Sequence, residues 1–239
     1  MLDGNIIAVT GATGFLGSHI TLALLNSGAG VVGVVRSPEK GKWMQNKALS
    51  FRRADLADEA ALFKAFEGCD AVVANAALAV KTGAPLDAFR VANIAGVEHT
   101  FRAAHRAGVR RILMISTVGV YQVRLRHLMD ESTPVRTRFR IDVSLLTTNW
   151  RYSLTKAQGE YRARELANTY GLDLTVFRPG PVYGARDQKF VANLVNRAQQ
   201  KWVLVPDVGM PMVHAGDIAD GVVQALAKPI AIGKTYNFG

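Results

Sequence analysis

The chain has one cysteine, Cys69, in 239 residues. No disulfide can therefore close within it. Scarce cysteine suits a reducing compartment, and the default expectation is a cytoplasmic protein. No apolar run comes near the roughly 20 residues of a membrane span, so no membrane partner is expected. The opening residues, Met1-Leu2-Asp3-Gly4-Asn5, have neither the basic start nor the apolar stretch of a secretory signal. No internal repeat and no low-complexity linker is present. Acidic residues are few: 19 Asp and Glu stand against 29 Lys and Arg, a formal net charge of +10. The imbalance is local. From Thr100 to Arg164 there are thirteen Lys and Arg but four Asp and Glu. No aromatic residues interleave with this charge as nucleic-acid binding would ask, so nucleic acid is not an expected partner. An anionic small molecule, or a solvated basic face without a partner, both fit.

What is present is ordinary for a globular enzyme-sized unit. Hydrophobic residues make up 49% and charged residues 20%, enough for one substantial core or a core with a small lobe. Apolar runs alternate with helical patterns along the whole chain. Strands are expected at Ile6 to Val9, Val31 to Val35, Ser50 to Arg53, Ala71 to Ala74, Ile112 to Ile115, Leu174 to Phe177 and Thr235 to Phe238. Helices are expected from Phe15 to Leu25, after the capping residue Asp58, and from Leu86 to Ala107. Others are expected from Arg151 to Tyr170, Gln188 to Gln199 and Asp217 to Ala227. Continuous apolar strands read as buried on both faces. Alternation of this kind predicts an α/β fold, a doubly wound parallel sheet of the Rossmann type.

The first strand leads into Thr10-Gly11-Ala12-Thr13-Gly14-Phe15-Leu16-Gly17 and then directly into a helix. Strand, glycine loop and helix form the context in which such a loop cradles a dinucleotide pyrophosphate. Gly11 permits the tight turn, Gly14 the approach of backbone to phosphate, and Gly17 the packing of the helix. The helix N-terminus then presents N–H groups and positive dipole to the anion. The loop residues Gly11, Thr13, Gly14, Phe15, Leu16 and Gly17 are accordingly expected to bind the cofactor.

Strand two ends in Arg36, with Lys40 close behind. An acidic residue here would accept from ribose hydroxyls, whereas an arginine favours a 2′-phosphate. NADP is therefore expected over NAD, with NAD left open. After strand three, Asp55 can accept from the adenine amino group while Leu56 lies against the ring. Tyr152 and Lys156 stand four residues apart on an expected helix and so share a face. An ammonium beside a phenol lowers the phenol's pKa from about 10, and the pair can then exchange a proton with a hydroxyl or carbonyl. The strand-end hydroxyls Ser116 and Thr117 can bond a substrate oxygen, since sites in open α/β sheets lie beyond the carboxyl ends of strands.

Taken in order, these motifs resemble the extended short-chain dehydrogenase/reductase family, also labelled NAD-dependent epimerase/dehydratase. The resemblance runs from Ile6 to Gly239 and rests on several stretches. They are Thr10 to Gly17, Asp55-Leu56, Ala74-Asn75-Ala76-Ala77, Asn93 in Ala92-Asn93-Ile94-Ala95-Gly96, and Ser116 to Tyr121. Tyr152 to Lys156, Arg178 to Gly184 and Val213 to Asp217 complete the set. The resemblance implies that Thr117 polarises the substrate oxygen and Tyr152 is the acid/base. Lys156 would bind the nicotinamide ribose, and Asn93 would stand near the active site. It also implies that Asn75 and Ala76 line the cofactor, that Pro179 and Val182 meet the nicotinamide amide, and that Asp217 caps a helix. The expected activity is hydride transfer between NADP and a hydroxyl/carbonyl pair on a small-molecule substrate. Two alternatives are a sugar-nucleotide epimerase or dehydratase with tightly held NAD, and a non-catalytic NADP-binding protein.

Where this chain departs from its relatives is also informative. His-Leu in many relatives is replaced by Asn75 after Ala74. The stretch between Tyr121 and Tyr152 is long and basic, with Arg124, Arg126, Arg136, Arg138 and Arg140. The chain stops at the expected last core strand, which implies a truncated or reduced C-terminal substrate lobe. Residues 1–178 are expected to form the dinucleotide-binding domain with the catalytic residues. Residues 179–239 are expected to supply a partial substrate lobe and that last strand. Relatives often pair through helices matching Leu86 to Ala107 and Arg151 to Tyr170, which implies a homodimer.

Overall fold

The computed structural model describes residues 2–79, 84–121, 129–136, 150–187, 190–199 and 211–239. Arg124, Arg126, Arg138 and Arg140 of the basic stretch lie outside the described residues.

A seven-stranded sheet runs through the molecule. Its strands are β1 (Ile6–Thr10), β2 (Gly30–Val35), β3 (Leu49–Arg53), β4 (Ala71–Ala74), β5 (Arg111–Ile115), β6 (Asp173–Pro179) and β9 (Thr235–Phe238). Spatial order is β3-β2-β1-β4-β5-β6-β9, and each neighbouring pair is parallel. This is the expected doubly wound sheet. A short pair, β7 (Val182–Tyr183) with β8 (Val213–His214), sits apart from it. The direction of winding reverses between β1 and β4, which opens a crevice above their carboxyl ends.

Period-two alternation sends neighbouring side chains to opposite faces. Ala8, Val32, Val34, Ile112 and Met114 face one core layer with Leu62, Phe66, Phe101, Ala163 and Leu166. These last come from α2 (Glu59–Phe66), α4 (Gly96–Arg106) and α5 (Trp150–Tyr170). Ile7, Val9, Val31, Leu113, Ile115 and Phe177 face the other layer with Ile20, Leu24, Ile218 and Val222. Those come from α1 (Phe15–Asn26) and α7 (Ala215–Ala227), while α6 (Phe190–Ala198) follows β7. Cys69 is buried, and burial pushes its thiol pKa up, as suits an inert packing residue.

One local expectation is refined and one corrected. The helix expected from Leu86 to Ala107 runs unbroken from Leu86 to Arg106, as α3 (Leu86–Arg90), a wider π-helical turn at Val91–Ala95, and α4. The wide turn coincides with the closest approach of α5: a β-carbon on Gly159 would meet the Asn93 carbonyl oxygen at 2.0 Å. The α7 cap is His214 rather than Asp217. Its Nδ1 accepts from the Gly216 N–H at 3.2 Å, and Asp217 lies in the first turn.

Candidate active site

The glycine loop folds back on itself. Gly11 takes φ +70° and donates to the Val34 carbonyl at 2.9 Å, and Gly14 donates to the Gly11 carbonyl at 2.9 Å. Gly17 has no room for a side chain, because a β-carbon there would lie 2.1 Å from the Gly11 carbonyl oxygen. The cap residue of α1 is Gly14, which offers no side chain, and the first turn holds no acidic residue. Donors at that end are thus left for an outside acceptor, the property of an anion site. Thr10 pins the loop to β4, since its Oγ1 accepts from the N–H groups of Asn75 and Ala76 at 3.0 Å each. Asn75 Nδ2 in turn donates to the Thr10 carbonyl at 3.2 Å.

Above the crevice lies a cleft of about 1000 Å³. Gly11, Thr13, Gly14, Phe15, Leu16 and Gly17 form its floor. Arg36, Ser37 and Lys40 stand at one end, with Asp55 and Leu56 beside them. Arg36 is exposed, and its carbonyl oxygen accepts from Arg53 Nε at 2.9 Å. Asp55 Oδ1 accepts from the Ala57 N–H at 2.9 Å and so shapes its own turn. Asn75 and Ala76 line the middle.

Ser116, Thr117, Tyr152, Lys156, Pro179 and Val182 also line the cleft. Thr117 caps the short turn Val118–Val120, and its Oγ1 accepts from the Gly119 N–H at 3.2 Å. Lys156 is buried, and its Nζ donates to the Ile115 carbonyl at 2.7 Å. Burial pushes the Lys156 ammonium down to about 8, with the Glu160 charge acting against that fall. The phenol does not behave as the spacing predicts: burial pushes Tyr152 up to about 12. Desolvation is the cause at the phenol, and Lys156, pushed down to about 8, is already neutral in the range where that phenol titrates.

Of the expected site residues, Asn93 is not in the wall. It is 1% exposed and sits behind the wall in the π-helical turn. Its Oδ1 accepts from the Leu78 N–H at 2.8 Å, and its Nδ2 lies 3.2 Å from both the Leu78 carbonyl and Thr155 Oγ1. Asn93 therefore links the loop after β4 to α5 rather than facing the cleft.

Three contributors have no counterpart in the sequence reading: Thr10 as the pin between loop and β4, the loop wall Leu78 and Ala79, and the buried carboxylate of Glu160. Thr10 and Glu160 each fall on a face that periodicity marks as core. A polar residue at a core position was the available signal.

A family model described as NAD dependent epimerase/dehydratase matches residues 7–239. Cinnamoyl-CoA reductase 2 of Arabidopsis thaliana is 30% identical over an alignment 245 residues long that covers 98% of this chain and 73% of that protein. Dihydroflavonol 4-reductase of Zea mays is 28% identical over an alignment 251 residues long that covers 97% of this chain and 69% of that one. Among solved structures, the dTDP-glucose 4,6-dehydratase DesIV of Streptomyces venezuelae with NAD and TYD bound is similar. It superposes with a TM-score of 0.81 at 26% identity, covering 98% of this chain and 75% of that chain.

Proposed function

This chain belongs to the NAD dependent epimerase/dehydratase family, and on that premise we propose that it is an NADP-preferring oxidoreductase acting on a hydroxyl/carbonyl pair. The observation that carries the proposal is one cleft lined by both Arg36 with Lys40 and Thr117 with Tyr152 and Lys156. The donor set suits the cofactor: a side-chain-free helix N-terminus for the pyrophosphate and two cations for a 2′-phosphate. Gly11, Thr13, Gly14, Phe15, Leu16 and Gly17 would hold the pyrophosphate, with Asn75 and Ala76 beside it. Asp55 and Leu56 would hold the adenine, and Pro179 and Val182 the nicotinamide amide. When bound, the nicotinamide supplies or takes the hydride.

The chain's own residues handle the proton. Tyr152, with its phenol held protonated far above neutral pH, is suited to give a proton to a carbonyl oxygen as hydride arrives at carbon. Thr117 would orient that oxygen, and Lys156 would bind the nicotinamide ribose. Asn93 acts here as a positioning residue, because its amide braces α5 from behind. The related reductases support a carbonyl substrate for this chain. A second reading, a sugar-nucleotide dehydratase or epimerase holding NAD, is favoured by the likeness to the dehydratase structure. Arg36 weighs against it, since an acidic ribose partner would be expected there.

Cofactor titration tests the choice. NADP should bind the wild type more tightly than NAD, and Arg36→Asp should lose that preference. Purified protein that retains unexchangeable NAD would overturn the reductase reading. An unchanged preference in the variant would remove Arg36 from the argument.

A further inference from the structure

The cleft is held together by a residue that the proposed chemistry does not use. Glu160 lies one turn along α5 from Lys156, and its side chain is 1% exposed. Oε2 accepts from Ser116 Oγ at 2.7 Å and from Arg178 Nε at 3.1 Å. Oε1 accepts from Arg178 Nη2, and from Arg164 Nε and Nη2 at 3.1 and 2.9 Å. One carboxylate thus touches the end of β5, the middle of α5 and the end of β6. Those three segments carry Thr117, Tyr152 with Lys156, and Pro179 to the cleft.

We infer that Glu160 is a positioning residue: its buried carboxylate clamps the ends of β5 and β6 onto α5, one turn from Lys156, at the catalytic end of the cleft. The inference rests on the proposed reading that Lys156 meets the nicotinamide ribose. Stability alone does not call for such a carboxylate, because a buried ion pair is often no more stable than apolar residues of the same volume. The surrounding charges do call for it. Lys156 donates to the Ile115 carbonyl of β5, while the cations held by Glu160 come from β6, as Arg178, and from the same helix, as Arg164. Arg178 also donates to the Tyr121 hydroxyl at 2.7 Å, which donates to Asn237 Oδ1 of β9 at 2.7 Å. Among the described residues Glu160 is the anion that acts to keep Lys156 protonated. Burial works against the Glu160 charge too, but the hydrogen bonds and charge of Arg178, with Ser116 and Arg164, hold its carboxyl below the usual range.

The test uses the whole chain and two readouts. The Lys156 ammonium is followed by NMR of ¹³C-labelled lysine, assigned with Lys156→Arg, in the wild type and in Glu160→Gln. Loss of the charge at constant shape is expected to lower the Lys156 midpoint by about one unit, a tenfold loss of proton affinity. Glu160→Asp, which restores the charge, is expected to recover most of it. In parallel, Glu160→Gln should bind NADPH roughly tenfold more weakly, the loss of one charge-assisted contact. Adenosine 2′,5′-bisphosphate, which lacks the nicotinamide half, should bind within about twofold of wild type, a change no larger than a surface effect. If Glu160→Gln does not fold, Ser116→Ala cuts the tie to β5 and leaves every charge in place. It should show the same split between the two ligands. An unmoved Lys156 midpoint in folded Glu160→Gln, or equal weakening of both ligands in either variant, overturns the inference. A wild-type protein that binds neither ligand would sink the reading of the cleft, and the Lys156 midpoint would still decide the role of Glu160.

Discussion

Lys156 reaches the Ile115 carbonyl oxygen at 2.7 Å, so the ammonium is anchored to the last residue of β5. The bond keeps a buried cation in place at a cost that depends on pH. Folding lowers its pKa from 10.5 to about 8, so between those values the unfolded chain binds more protons. Below about pH 8 the full penalty of the buried charge is present, and it fades as pH rises to about 10.5. Lys156→Met removes the titration. Its stability advantage over the wild type should be greatest near neutrality and shrink by up to about 3 kcal/mol by the alkaline limit. Urea denaturation of both proteins at several pH values measures the difference. A difference that stays flat, or that grows with pH, would count against a desolvated ammonium.

Tyr152 is pushed up to about 12 by burial. In the reduction direction the phenol is already protonated at every practical pH, so the rate should stay flat from about pH 6 to 8. Oxidation needs the ionised phenol and should rise about tenfold per pH unit over the same range. Tyr152→Phe is expected to lower kcat by roughly 10²- to 10⁴-fold, the range for a lost general acid. Cofactor affinity should change little. Rates measured in both directions against pH check this, and equal slopes in the two directions would argue for a different proton donor.

Asn93 holds the Leu78 backbone by both ends of its amide. Asn93→Ala leaves the half-buried N–H and carbonyl of Leu78 without these partners. A fully buried group would cost about 1–3 kcal/mol, and water from the cleft can replace part of that, so the variant should lose on the order of 1–3 kcal/mol of stability. It should weaken catalysis through loosened α5 rather than through lost chemistry. Denaturation curves, with kcat measured well below the melting temperature, separate the two effects. Full stability with a lost rate would instead give Asn93 a direct catalytic part.

Gly17→Ala sets a methyl where the Gly11 carbonyl oxygen stands, 2.1 Å away. Either the loop or α1 must shift. Overpacking of this kind costs about 1–3 kcal/mol, and the displaced loop should bind a dinucleotide at least tenfold more weakly, as misplaced anion donors do. Calorimetric titration with NADP reads the affinity. Unaltered binding would show that the loop can yield without leaving the site.

Much of this protein is legible without coordinates because the signals are local. Ala8 and Val9 alternate between two core layers by the geometry of any strand. Gly11 and Gly17 are called for by a turn and a contact within the same eight residues. Tyr152 and Lys156 share a helical face at any helix of that spacing. Arg36 follows β2 directly, so its charge can be assigned to the end of the cleft from position alone.

What coordinates decide is long-range. Asn93 reads as an active-site residue from its motif, yet it faces Leu78 and Thr155, which lie 15 and 62 residues away. No periodicity encodes that pairing, because it depends on how α5 crosses the π-helical turn where Gly159 admits it. Glu160 stands out in the sequence only as a charge on a core face, and its partners stay hidden for the same reason, Ser116 and Arg178 arriving from two other strands. The direction of the Tyr152 shift was also beyond reach. Spacing places a lysine near a phenol, but only packing decides how far burial pushes the lysine down and the phenol up. Local chemistry therefore wrote the fold, the cofactor loop and the catalytic candidates into the chain. Burial and cross-strand contact, which depend on the whole structure at once, set their protonation and their bracing.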